Sequence, residues 1–177
     1  MKPRGLLMIE HRLIEKVLIV ANEKANLMTG KTYDPLFIDT IVDFIRTYAD
    51  RTHHGKEEDI LFKKLEDKNL NEEDERIMAE LNNEHKQARQ NVKEISELNN
   101  KYRNGNLSTV SEIVKIINWL ARFYPVHILK EDKIFFPNTE KYFSKDELDN
   151  MLNEFNEFDQ KMIHEKYQNV YKDINKK

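Results

Sequence analysis

The sequence predicts an all-α protein, an up-down-up-down four-helix bundle with an additional C-terminal helix. Three observations support this fold class. The chain has only 4 Gly and 4 Pro in 177 residues, and it is rich in Glu, Lys, Leu and Ile, which suits helices. Apolar residues recur every three or four positions through long stretches, as on one face of an amphipathic helix. The connections between those stretches are short, which makes neighbouring helices antiparallel.

The first two predicted helices each place histidine on an inward face. Helix A spans about residues 4–28, and His11 occupies a core position of its apolar stripe. Helix B begins at Asp34, which suits an N-cap and is followed by proline at the first helical position. The apolar stripe of helix B continues into His53 and then Glu57. Both helices are therefore predicted to direct polar side chains into the core.

Helix C and the C-terminal helix are marked by their first residues. Asn71 precedes a run of acidic residues, which is typical of a helix start, and His85 stands further on where an apolar residue is expected. Ser144 begins a capping box. We therefore assign residues 1–143 to the bundle and 144–177 to a helix packed on it or in a dimer contact. The side chains expected to make that contact are Phe155, Phe158 and Met162.

Helix D begins at about Thr109, and its inward stripe includes His127 and Glu131. Pro125 lies inside this stretch and should kink the helix, because proline lacks the N–H and its ring clashes with the preceding turn. Pro137 is predicted to end the helix. Helix D thus presents a histidine and a glutamate four residues apart to the core.

Helix B and helix D share the pattern His-x-x-x-Glu followed by apolar residues and phenylalanine. In helix B two registers overlap, His53 with Glu57 and His54 with Glu58. Residues four apart lie on the same helical face. Only the first pair continues the inward stripe, so His54 and Glu58, about 100° further round an α-helix, are predicted to lie outside the site.

The inward polar residues of the four helices fall at one depth of the bundle when ~1.5 Å is counted for each residue. One histidine on an apolar face is usually a hydrogen-bonded core residue, and a metal-free His–Glu network is a further alternative. Six buried polar groups at one level are costly unless a cation pairs with them. Imidazole and carboxylate without sulfur suit iron or manganese, with zinc also possible. The predicted metal ligands are His11, His53, Glu57, His85, His127 and Glu131.

Residues 7–15, 53–62, 83–85 and 127–137 together resemble the hemerythrin-like (HHE cation-binding) family. The resemblance covers about residues 4–137 and follows the order of the motifs along all four helices. It implies a non-haem di-iron site, in which the two carboxylates and an oxo or hydroxo group bridge two Fe ions. The ligands that the resemblance implies are the same six residues.

One position departs from the oxygen-carrying hemerythrins, which have a second histidine on helix C one turn after the first. Arg89 occupies that position here. The ligand set therefore resembles the four-histidine, two-glutamate set of the iron-centre-repair proteins, and reversible O₂ carriage is not expected. His54 is the residue that could supply a fifth imidazole.

Composition narrows the function classes. The chain has no cysteine, which excludes disulfides, thiolate metal sites and iron–sulfur clusters. Its net charge of −3 implies no nucleic-acid partner, and no apolar run of ~18 residues indicates a membrane helix. We expect a cytoplasmic di-iron protein that reacts with or senses O₂, H₂O₂ or NO, and that needs an external electron donor if it turns over as a peroxide or NO reductase. Iron storage, iron-centre repair without turnover, a helical partner-binding scaffold and a homodimer are the alternatives.

Overall fold

The computed structural model describes residues 2–174 and shows helices joined by short turns, with no strand in that range. Four long helical segments and a C-terminal helix follow one another, as the sequence predicted. Within residues 2–174, no helix is both long and apolar enough to cross a membrane. The helices are α1 (Pro3–Asn26), α2 (residues 35–66), α3 (Glu72–Arg103), α4 (residues 109–139) and α5 (Lys145–Ile174).

Two of the helices contain π-helical segments at the His-x-x-x-Glu motifs. A π-helix makes hydrogen bonds over five residues instead of four, and such segments are frequent at functional sites. In α2 the α-helical Pro35–Phe44 passes into π-helical Ile45–His54, and a second π segment follows at Glu57–Phe62. In α4 the π segment is Glu131–Phe135, after Thr109–Lys130. The helical geometry therefore changes where the predicted ligands lie.

The predicted helix starts are confirmed. The Asp34 carboxylate accepts hydrogen bonds from two backbone N–H groups at 3.0 and 3.1 Å, and Asn71 caps α3 in the same way. Ser144 and Glu147 form the capping box of α5. The prediction that Pro137 ends the fourth helix is wrong, because the helical turn Phe136–Thr139 passes through it. Proline is tolerated there because the first turn of a helix has no partner for its N–H groups.

The core consists of two apolar clusters with a polar layer between them. The larger cluster fills one end of the α1–α4 bundle, and Ile14, Ala49, Ala88 and Ile128 belong to it. The smaller cluster lies at the other end, where α5 covers the bundle. It is made by residues before and after the ligand positions, including Leu7, Ile60, Leu81, Phe135, Met151 and Phe155.

The aromatic face of α5 packs on its own chain. Phe155 is completely buried in the smaller cluster, and α5 contacts α1 and both π segments of α2. Phe158 lies directly against Gly55, while His164 is exposed. Phe155 and Phe158 of α5 therefore pack on the bundle, while the division at residue 143 and the homodimer stay predictions.

Candidate metal centre

The polar layer contains two adjacent groups of candidate metal ligands. The first combines two histidines and two glutamates, and the second combines three histidines. Within each group the nearest donor atoms lie within 4.8 Å of one another, and every member is buried. The two-histidine group is His11, His53, Glu57 and Glu131, and the three-histidine group is His54, His85 and His127.

The structure brings together all six residues that the sequence singled out, and it adds His54. The prediction that His54 lies off the inward face is wrong, because its side chain is 2% exposed and its Nε2 joins the three-histidine group. The π-helical segment that ends at this residue explains the error. Each turn takes more residues than in an α-helix, so consecutive side chains are separated by a smaller angle. His53 and His54 therefore both point inward, one to each group.

The two glutamates lie between the groups and can serve both. Glu131 Oε2 is 3.2 Å from His11 Nε2 and 3.3 Å from His127 Nε2, and its Oε1 is 3.7 Å from His85 Nε2. Glu57 Oε1 is 3.3 Å from His53 Nε2, and its Oε2 is 3.5 Å from His85 Nε2. Each carboxylate thus reaches an imidazole of both groups, as bridging between two adjacent cations requires.

Every one of the five imidazoles is held at Nδ1 by a carboxylate, which leaves Nε2 directed at the centre. Such pairs fix the tautomer and the orientation of metal-ligating histidines. The shortest joins His85 to Glu58 at 2.6 Å, so Glu58 lies outside the two groups as predicted. The remaining pairs are His11 with Asp132 (2.7 Å), His53 with Glu10 (2.8 Å), His54 with Asp50 (3.4 Å) and His127 with Glu84 (2.7 Å).

Arg89 has a different role from the one that its position suggested. Its guanidinium bonds Asp50 and Glu58, each at 2.7 Å, and these carboxylates hold His54 and His85. His54 lies with His85 and His127 in the three-histidine group, and Arg89 supports it through Asp50. The charge of Arg89 is balanced by the two carboxylates rather than available to an anion.

The unpaired atoms at the centre are those that a metal would bind. In the part of the chain that the structure describes, both oxygens of Glu57 and of Glu131 and the Nε2 atoms of His11, His53 and His54 are buried without a hydrogen bond. Buried polar groups are nearly always hydrogen-bonded, so an unsatisfied cluster needs an explanation. Nitrogen and oxygen donors that point at one another across a dry layer fit borderline divalent cations such as iron.

The protonation of the layer favours metal binding at some positions and opposes it at others. Burial lowers the pKa of His53 and of His54 well below its usual value, so both imidazoles are neutral, as a ligand must be. Burial and the neighbouring Glu131 raise the pKa of Glu57. At His11, burial lowers the pKa, but the hydrogen-bonded Asp132 carboxylate and the nearby Glu131 carboxylate outweigh it, and the pKa rises to about 9. A cation must therefore displace a proton from His11.

Sequence reasoning missed the carboxylates that orient the histidines. Four of the five are direct chain neighbours of predicted ligands: Glu10 precedes His11, Glu84 precedes His85, Glu58 follows Glu57, and Asp132 follows Glu131. Each supports a ligand on another helix rather than its neighbour in sequence. An acidic residue beside four of the six inward positions was the signal, but it did not reveal which histidine each carboxylate would contact.

One of three comparisons with known proteins identifies a family for the chain. A family model described as the hemerythrin HHE cation binding domain matches residues 3–137 and also residues 76–173. No curated protein and no solved structure matches the chain. The first family match spans α1 to α3 and α4 as far as Pro137, and so contains every residue of the two donor groups. The chain therefore belongs to the hemerythrin HHE cation-binding domain family.

Proposed function

We propose that this protein binds two iron ions, one at each donor group, and uses them to react with or to sense a small molecule such as O₂, H₂O₂ or NO. The observation that carries the proposal is the convergence of five Nδ1-anchored imidazoles on two unpaired buried carboxylates. When bound, the iron pair would supply redox chemistry, with Glu57, Glu131 and an oxo or hydroxo group as bridges. Manganese or zinc would fit the same donors less selectively.

The donor count differs between the two positions. The three-histidine position has one imidazole more than the position held by His11 and His53. If the two glutamates serve both ions equally, the position with fewer imidazoles would be the one that keeps a place for a further ligand. Catalytic metal sites retain such a place for substrate. We propose that the small molecule binds beside His11 and His53.

A surface pocket of about 320 Å³ leads toward the polar layer on the side of the three-histidine group. Its walls include the apolar Ile45 and Val92, and it reaches His54 and Tyr124. Tyr124 is buried, and its hydroxyl has no hydrogen-bond partner among residues 2–174. The pocket is large enough for water or a diatomic gas, and its walls combine apolar side chains with three arginines and an aspartate. We propose it as the route by which a small neutral molecule approaches the layer.

The chain's own residues hold and orient the centre rather than supply electrons. Because the sequence contains no cysteine, an electron donor for a peroxide or NO reductase would have to be an external partner. We also propose a cytoplasmic location for the protein. Binding without turnover, as in a gas sensor or an iron store, needs no such donor. Both readings require the same di-iron centre, so they differ in rates rather than in ligands.

Stopped-flow spectroscopy of the reduced, iron-loaded protein tests the proposal. We expect about two iron ions per chain by elemental analysis and a change in the ultraviolet and visible spectrum on mixing with O₂, H₂O₂ or NO. Continuous consumption of one of these with an added reductant would establish an enzyme, and one spectral change per chain would establish a sensor. Zinc or no metal in the natively purified protein, with no spectral response after iron loading, would contradict the proposal.

A further inference from the structure

One lysine among residues 2–174 is completely buried. Lys56 is 0% exposed and lies in α2 between the two π segments. Its ammonium bonds the Glu10 carboxylate of α1 and, at 2.6 Å, the Asp159 carboxylate of α5. A buried ammonium is costly unless charged partners surround it. Lys56 therefore depends on one partner from the bundle and one from the C-terminal helix.

This ion triad connects α5 to the metal centre. Glu10 uses one oxygen for Lys56 and the other for Nδ1 of His53, at 2.8 Å. Asp159, Lys56, Glu10 and His53 thus form a continuous chain of hydrogen bonds that ends at an imidazole of the two-histidine group.

The other four imidazoles are supported from within the bundle. Arg89 holds the carboxylates behind two of them, and Arg12 of α1 and Lys130 of α4 hold the carboxylates behind the other two. His53 is therefore the imidazole whose support passes through α5.

The backbone of α2 is adapted to the same contact. Gly55 precedes Lys56, and a Cβ on it would lie 2.7 Å from the Phe158 ring. Glycine inside a helix is less favourable than alanine, and its use here permits α5 to approach α2 closely. Phe158 and Asp159 are consecutive, so the close approach of the ring brings the carboxylate to the lysine.

We infer that α5 is a clamp on the two-histidine position, in which Asp159 positions His53 through Lys56 and Glu10. Docking of α5 and metal binding at that position are coupled, whereas the three-histidine position binds independently of α5. The inference rests on the proposed function, since it requires two metal ions. Asp159 is a positioning residue, because it acts through Lys56 and does not reach the ions.

Anaerobic Fe²⁺ titration against a competing chelator tests the clamp in the full-length chain. We expect Asp159→Asn to weaken one of the two ions by about 10-fold and to leave the other unchanged. This is the low end of the range for losing a direct partner of a metal ligand, because Asp159 acts on His53 through Lys56 and Glu10. Asp159→Glu should restore most of the affinity. The matched control is Glu165→Gln, which removes a carboxylate from the same helix where it pairs with Arg51 at 2.9 Å on the surface, and it should change neither affinity.

A double-mutant cycle distinguishes positioning from general destabilisation. Lys56→Met should weaken the same ion, and adding Asp159→Asn to it should have no further effect, because both act through one path. Additive losses, or equal losses at both ions, would overturn the clamp. Mössbauer spectra of ⁵⁷Fe-loaded Asp159→Asn should show one of two iron signals reduced.

The two proposals fail in different ways. Wild-type protein that does not bind two Fe²⁺ ions would contradict the proposed function. Wild-type protein that binds two ions with affinities unchanged by Asp159→Asn would overturn the clamp and leave the di-iron centre intact.

Discussion

His54→Leu tests the most consequential difference between the α-helical expectation and the structure. His54 is buried and its Nε2 has no hydrogen bond to the described residues, while its Nδ1 makes a long 3.4 Å contact with Asp50. Asp50 keeps its bond to Arg89 at 2.7 Å when the imidazole is removed. Leucine has a similar size and no polar atom, so the substitution removes a donor without leaving a large cavity.

The effect on the protein should have opposite signs without and with iron. An unsatisfied buried nitrogen costs about 1–3 kcal/mol, so the metal-free variant should be more stable than the wild type by about 1–2 kcal/mol. For a domain of this length, that raises the melting temperature by roughly 2–4 °C for each kcal/mol. The iron-loaded variant should instead lose an ion, because His54 is one of three imidazoles at its position.

Elemental analysis and thermal melting with and without chelator measure both effects. We expect about one iron ion per chain, compared with two in the wild type, and a smaller stabilisation by Fe²⁺. His164→Leu on the exposed face of α5 is the control and should leave iron content unchanged. Two ions with wild-type affinity in His54→Leu would refute the assignment of His54 to the centre.

Three further predictions follow from contacts around the layer. Glu84→Gln, which loosens His127, should lower iron affinity by about 10- to 100-fold in a chelator competition. Glu80→Gln, which affects contacts with Lys130 and Arg76 but no histidine, should not. Phe155→Ala should destabilise the protein by about 3–5 kcal/mol in urea, because that ring is fully buried; a loss under 1 kcal/mol would contradict its place in the core. The folded-state pKa of His11 is raised to about 9, so its contribution to the stability of the metal-free protein should be complete below pH 6.5 and decline toward pH 9. Fe²⁺ affinity should rise over the same pH window, because the metal competes with the proton. Thermal melting of the metal-free protein and Fe²⁺ titration, each repeated across this pH range, should therefore show opposite trends.

The helices and the depth of the polar layer could be predicted from sequence because they depend on local patterns. Three kinds of signal were sufficient: apolar periodicity, short connections, and the helix caps at Asp34, Asn71 and Ser144. Together they predicted that His85 of one helix lies at the level of His127 on the next. These features need no knowledge of tertiary contacts.

The inward direction of His54 could not be predicted, because the angle between consecutive side chains of α2 depends on a π segment. An α-helix separates His53 and His54 by about 100°, which directs one of them away from the centre. Whether a helix takes the wider hydrogen-bonding pattern at Ile45–His54 depends on the packing of neighbouring helices and, in our account, on the ions that the layer holds. The role of Lys56 also could not be predicted, because it depends on tertiary contacts with Glu10 and Asp159, which are distant in sequence.

Crystallographic anomalous scattering at the iron edge, from protein loaded anaerobically with Fe²⁺, tests the central claim most directly. We expect two peaks per chain, both within bonding distance of Glu57 and Glu131. One peak should also contact the Nε2 atoms of His11 and His53, and the other those of His54, His85 and His127. A single peak, or two peaks with the His54 imidazole turned away from both, would contradict the account.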